Sequence, residues 1–318
     1  MYDQFNPTLA SDFNALIGPV NGSGANRLNS FWGLGYGNAG YGQTQISELA
    51  GGGVVNSSDW ANLFSTLTKA GAQQNTSITA LPTVSTGSRI DYISTLPTDI
   101  TSCYNNRLNA AAQGTSTTYT AQRTASWSNA VTFTHIITFG SGDQARYFFN
   151  AGGQIAMNFS ITGGSTTINS LFQSLAIACG TITLSSPVSG NTAIIAGSSF
   201  TGITRTGGTG TPSTLTTGTG YYSLTATDAV VFTQLAAGLS PSGYVNSFIS
   251  LSIRTNGPQG ANGDTGNIIY ITTTFDEVPN NLVVDGVTNA FCTIRPPSTT
   301  NIAASWGTVT VTSTNSGS

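Results

Sequence analysis

Charge is what this sequence has least of. Asp, Glu, Lys and Arg make up 7% of its 318 residues, against roughly 25% in an ordinary soluble domain. Lys69 is the single lysine and His135 the single histidine. The basic residues Arg27, Lys69, Arg89, Arg107, Arg123, Arg146, Arg205, Arg254 and Arg295 stand one at a time, and the net charge is −3. Phosphate neutralisation needs clustered cations, so no nucleic-acid partner is expected. No run of 18 apolar residues occurs, which speaks against a membrane-inserted helix. The opening MYDQFNPTLASDF has neither the basic nor the apolar region of a signal peptide, an expectation of synthesis in the cytoplasm.

Chemistry-bearing residues are equally scarce. Cys103, Cys179 and Cys292 are far apart and form no CxxC, so neither a zinc site nor a disulfide framework is encoded. They read as inert buried thiols, with one intermolecular disulfide in an assembled particle as the alternative. His135 falls on the apolar face of an alternating segment and reads as a core or interface histidine. Asp276–Glu277 is the sole adjacent acidic pair. Strand neighbours point to opposite faces, whereas glycoside cleavage needs two carboxylates about 5 to 10 Å apart. No catalytic residue, metal ligand or cofactor is assigned, and the chain is not expected to be an enzyme.

What is abundant is neutral polarity around an adequate core. Apolar residues make up 38%, and Ser, Thr, Asn and Gly supply most of the rest, which implies an uncharged, hydroxyl-rich surface. Residues 1–56 hold FWGLGYGNAGYGQ (31–43), with glycine at nearly every second position. Such a stretch is either a linker or an extended arm that orders on a neighbouring chain, and Phe31, Trp32, Tyr36 and Tyr41 favour the arm. Residues 57–112 read as a helical hairpin for docking. Asp59 is its candidate cap, Trp60, Leu63, Phe64 and Leu67 share one helical face, Gly71 is the expected end, and a second helix lies within 91–111 around Pro97. Residues 113–125 read as a linker.

From Ser126 the period changes to two. Trp127, Val131, Phe133, His135, Ile137 and Phe139 share one face of 126–139, and Ile155, Met157, Phe159 and Ile161 share one face of 153–161. The intervening GSGDQARYFFNAGG reads as a loop and turn. A helix follows over 165–179, closed by Gly180. Further strands are expected at 181–186, 193–196, 220–226, 229–235, 245–254, 267–275, 282–287 and 289–295. The fold class is therefore mainly β: an antiparallel sandwich over 126–295 with one packed helix, followed by a Ser/Thr-rich tail at 296–318. GPQGANGDTG (257–266) has collagen-like glycine spacing for only three triplets. It reads as a hairpin loop, with a cation held by Asp264 as the alternative.

The segment FGSGDQARYFFNAGGQIAMNFS (139–160) resembles a pattern that recurs in structural proteins of tailed bacteriophages. In these proteins a tryptophan-bearing strand leads through a charged turn to an R-Y-F-F-N-x-G-G core and an alternating strand. Arg146, Tyr147, Phe148, Phe149, Asn150, Gly152 and Gly153 match it, and GYYSLTATDAVVFTQ (220–234) and the surroundings of Trp60 are similar as well. Tyr147, Phe148 and Phe149 are too apolar for an exposed loop and are expected to plug the end of the sandwich, with Arg146 bonding carbonyls or a neighbouring acid. The resemblance covers roughly 57–295 and implies a non-enzymatic virion component of tail, fibre or neck. Its expected partners are copies of itself and other virion proteins. The alternative is a receptor-binding module touching host surface glycan through sandwich loops.

Overall fold

The structure, a computed structural model, describes residues 9–86, 94–187, 190–259, 264–278 and 282–317. Its first half runs α1 (Ala10–Ile17), α2 (Leu28–Trp32), α3 (Ser57–Gln74), α4 (Leu96–Asn105), β1 (Thr117–Arg123), β2 (Ala130–Thr138), α5 (Gly142–Asn150), β3 (Gln154–Thr162) and α6 (Thr167–Cys179). Short strands follow: β4 (Thr181–Leu184), β5 (Ala193–Ile195), β6 (Ser198–Phe200), β7 (Ile203–Thr206) and β8 (Thr214–Leu215). Five longer ones complete the chain: β9 (Ala229–Leu235), β10 (Phe248–Thr255), β11 (Ile268–Asp276), β12 (Val287–Arg295) and β13 (Thr310–Gly317).

Two antiparallel sheets face each other across one core. One has the order β1-β12-β3-β4-β7 and the other β13-β2-β11-β10-β9-β8, while β5 and β6 form a separate hairpin. The alternation in the sequence sets the register. Val131, Phe133, His135 and Ile137 of β2 are buried, and so are Ile155, Met157, Phe159 and Ile161 of β3. Thr132, Thr134 and Thr138 are half-buried on the other face of β2. Phe159 of one sheet meets Phe275 of the other at 5.9 Å between ring centres. Burying each such side chain contributes about 1.5–3 kcal/mol. Helix α6 packs on β3 and reaches β9 and β10 of the opposite sheet. Its Phe172 lies 5.3 Å from the Trp127 ring and 6.1 Å from Phe275, so the helix wedges between the sheets at one side. Asp285 fastens its start, accepting bonds from the Ser165 backbone and from the side chains of Ser165, Thr166 and Asn169. The Asn169 and Ser165 bonds hold the Asp285 carboxyl down to about 2.

Several boundaries differ from the sequence reading. The expected linker at 113–125 contains β1, paired residue for residue with β12 from Thr117↔Ile294 to Arg123↔Thr288. Only Ala121 of β1 is buried, so an edge strand of hydroxyl residues left too weak an apolar alternation to read. The expected tail at 296–318 supplies β13, paired with β2 from Thr310↔Thr138 to Gly317↔Val131, and buries Ile302 and Trp306. The sandwich therefore extends from 117 to 317. The stretch 220–226 holds a short 3-10 turn at Tyr221–Ser223 rather than a strand. At 282–287 only an isolated bridge from Val284 to Trp127 forms before β12 begins.

From Ala10 onward the expected N-terminal arm packs on its own chain. Phe13, Leu16, Ile17, Leu28, Phe31, Trp32, Tyr41 and Ile46 join the same buried cluster as the sandwich interior. Phe13 meets Trp60 of α3 edge-on at 5.5 Å, and Phe31 meets Tyr104 of α4 at 6.5 Å. Side-chain amides replace a strand ladder here. Asn29 bonds the Ile46 carbonyl and amide at 2.9 and 3.0 Å, and Asn14 does the same for Leu49 at 2.9 Å each. Helix α3 begins with Asn56 as its cap, whose N–H donates to Asp59 at 2.8 Å, a capping-box contact that moves Asp59 to the third helical position. It runs past Gly71 to Asn75, which takes the left-handed conformation at φ 55°. Residues 91–93, where the second helix was expected to start, lie outside the described residues. Among the described residues no helix is long and apolar enough to cross a membrane.

Candidate functional site

The segment leading into Arg146–Asn150 is a helix, not a loop and turn. Ser141 caps α5 by accepting from the Gln144 N–H at 3.1 Å, and Asp143 sits in its first turn. One helical turn then separates Arg146 from Asn150, so both side chains project from one face. Phe148 and Phe149 are fully buried and Tyr147 nearly so. Phe149 stacks on Tyr221 at 4.3 Å and Phe148 packs against Phe139 at 5.3 Å. Gly152 takes φ +94°, and a Cβ there would overlap Ala110.

Arg146 and Asn150 grip the glycine-rich loop of residues 33–42. The fully buried Arg146 donates from Nη1 to Ala39 O and from Nη2 to Leu34 O, both at 2.7 Å, and pairs with Asp143 at 3.0 Å. Asn150 Nδ2 donates to Gly40 O at 3.0 Å. Tyr222 Oη donates to the Asn150 side-chain oxygen at 2.5 Å, and 2.9 Å separates it from Gly37 O. From the helical region, Arg107 bonds the Asn38 side chain at 2.6 Å and its carbonyl at 2.9 Å. Gln74 donates to Tyr41 Oη, which donates to Arg107 O, both at 2.7 Å. Gln43 closes the third side with reciprocal bonds to Ala303 at 2.9 and 2.8 Å. Gly42 holds φ +66° against the face of Tyr147, where a Cβ would run into the ring.

This arrangement recognises backbone. Gly35 and Gly40, each at positive φ, let the loop turn the Leu34 and Ala39 carbonyls inward, and a planar guanidinium meets both at once. Burial raises the tyrosine hydroxyls, Tyr222 well above the ordinary value and Tyr41 and Tyr221 also upward, so all three stay neutral, and Tyr41 and Tyr222 donate. Arg146 was expected to bond carbonyls or a neighbouring acid; it bonds both, and the carbonyls come from the supposed arm.

The other residues singled out in the sequence lie elsewhere. His135 is fully buried between the sheets, with Nδ1 hydrogen-bonded to Ser313 Oγ of β13 at 2.8 Å, and burial lowers its pKa to about 4. Asp276 and Glu277 face opposite ways: Asp276 is half-buried at the end of β11, while Glu277 is buried and accepts from Leu282 N–H at 3.2 Å. Cys103, Cys179 and Cys292 are free and buried. Burial pushes Cys103 and Cys292 up to about 12, and Cys179 also upward. The strands on either side of 257–266 pair as the expected hairpin, but 260–263 lie outside the described residues. Among the described residues no three His, Cys, Asp or Glu side chains gather as a metal site.

The outer sheet face carries a feature the sequence reading did not assemble. Register brings Ser316, Thr132, Thr274, Ser250 and Thr233 into one row across five strands. Thr314, Thr134, Thr272 and Ser252 form the next row. The TxT and SxS spacings were its only signal, and they gain meaning only once the strands are aligned. Compared with known proteins, the chain matches no family model, no curated protein and no solved structure.

Proposed function

We propose that this chain is a non-enzymatic structural subunit of a tailed-bacteriophage virion, in the tail, fibre or neck, where it assembles with copies of itself and other virion proteins. The observation that carries the reading is the pair of uncharged hydroxyl rows on the six-stranded sheet, beside which Arg254 is paired with Asp228. Neutral rows of Ser and Thr let broad faces lie against neighbours without like-charge repulsion and without a large apolar patch that would aggregate the free chain. The buried role of Arg146, Asn150 and Tyr222 accords with the phage-like pattern marking a shared frame rather than a ligand site. The glycan-binding alternative has less support, because Trp32, Trp60, Trp127 and Trp306, the rings best suited to stack on sugars, are all buried.

Antibody labelling of purified particles tests the proposal. Label confined to tail, fibre or neck, with the chain found in stoichiometric amount by mass spectrometry, is the expected result. Particles that lack the protein but come from cells that express it would refute it.

A further inference from the structure

The two sheets have four edges, and they are treated differently. Native proteins usually blunt an exposed edge with shortness, charge, proline or a bulge. β8 has two residues, and β7 has four and carries Arg205, whose guanidinium bonds the Cys179 carbonyl at 2.8 Å. The remaining edges, β1 and β13, lie side by side on the opposite flank. Asn315 Nδ2 donates to Gln122 O at 2.8 Å and Arg123 Nη1 donates to Gly317 O at 3.0 Å. β13 has eight residues with no charge and no proline. It pairs with β2 in unbroken register, and the Ser313–His135 bond pins it to the body. Among the described residues no further strand pairs with it, so it is a rigid edge, tied to β1 only near its Asn315–Gly317 end, and not a loose tail.

We infer that β13 pairs antiparallel with β13 of a second copy of this chain, joining two six-stranded sheets into one continuous sheet. The inference rests on the assembly reading above and names its self-contact. Whatever docks on this edge must bring no charge that the edge leaves unanswered, and β13 meets that condition itself. A two-fold axis through the pairing is isologous and sets Thr310, Thr312, Thr314 and Ser316 opposite the same set. Every register that keeps the faces matched differs by two residues, so hydroxyl opposes hydroxyl in each of them. The Ser/Thr rows then run from one copy into the next. On the neighbouring β1 edge Arg123 stands at the strand terminus, bonded to Gly317 O and to Ser126 O at 3.3 Å, so a two-fold axis through the middle of the flank keeps the two arginines apart.

The test is the mass of the full chain by sedimentation equilibrium, with two variants. The native chain should sediment at twice the single-chain mass. Thr312→Lys with Thr314→Lys, which places like charges opposite across the axis, should halve that mass and leave the melting midpoint of the body unchanged. Thr312→Cys combined with Thr314→Cys, which sets cysteine opposite cysteine across the axis, should lock a covalent dimer on mild oxidation, since the native cysteines are buried. A native chain of single-chain mass overturns the inference, as does a dimer that survives the lysine pair and forms no cross-link. A single-chain species that enters virions only with β13 unaltered also overturns it and assigns the edge to a strand of another virion protein. Particle labelling separates the two claims: a dimer missing from virions defeats the virion reading alone, and a virion protein of single-chain mass defeats self-pairing alone.

Discussion

Arg146 shows how much a single side chain holds in this molecule. It is fully buried, and its guanidinium joins Asp143 to the carbonyls of Leu34 and Ala39. Removing one partner of a buried ionic network leaves the others desolvated and unpaired, at a cost of about 3–5 kcal/mol. Arg146→Met should therefore lower the unfolding free energy by that amount and release hydrogen-exchange protection in residues 34–40 first. A loss under about 1 kcal/mol would mean that the loop is held by its neighbours instead. His135 makes a second prediction of the opposite electrostatic kind. Its folded pKa lies near 4, below the 6.5 of an exposed histidine, because burial disfavours the charged ring. Between those values the unfolded chain binds more protons, so stability is full above pH 6.5 and declines as pH falls towards 4, by about 3 kcal/mol. The slope should vanish in His135→Asn, measured by denaturant titration at a series of pH values; an identical slope in both proteins would move the effect to the carboxylates.

At the level of elements, legibility followed the strength of apolar alternation. β2 and β3 alternate large apolar with polar residues and were read with the correct inward face. α6 was read almost to its ends, because Ile168, Leu171, Phe172 and Leu175 mark a helical stripe. β1 and β13 consist largely of Thr and Ser with few apolar residues, such as Ala121 and Val311, so little in their hydropathy separates them from a linker or a tail. α5 was missed for a different reason. Its flanking glycines outweighed a Ser141 cap, an acid in the first turn and the spacing of Ala145, Phe148 and Phe149, all of which signal a helix. The buried clasp could not be seen at all, since Arg146 and the carbonyls of Leu34 and Ala39 are more than a hundred residues apart in sequence. The N-terminal elements carry the matching prediction. Deleting residues 1–56 should strand Arg146, Asn150 and Tyr222 without their carbonyl partners and expose Trp60 and Tyr104. The shortened chain should express insoluble or melt far below the full one; a soluble protein with an unchanged midpoint would show that the sandwich stands without this region.

For the whole molecule, the sandwich and its helix could be reached from the sequence, but its closure could not. The fold is completed by segments from opposite ends of the chain. β12 bonds both β1 and β3, β2 lies between β11 and β13, and Gln43 reaches Ala303 across 260 residues. These long connections have a consequence in time. Contacts so distant in sequence make folding slow, because chain entropy is lost before the contacts form. On the ribosome, β1, β2 and β3 emerge long before β12 and β13 and must wait with open edges. Low charge leaves those waiting strands little to repel one another, so the interval before residues 287–317 appear is when this protein is most exposed to mispairing. Synthesis rate and chaperone supply during that interval, rather than the stability of the finished sandwich, should set how much of it a cell can make.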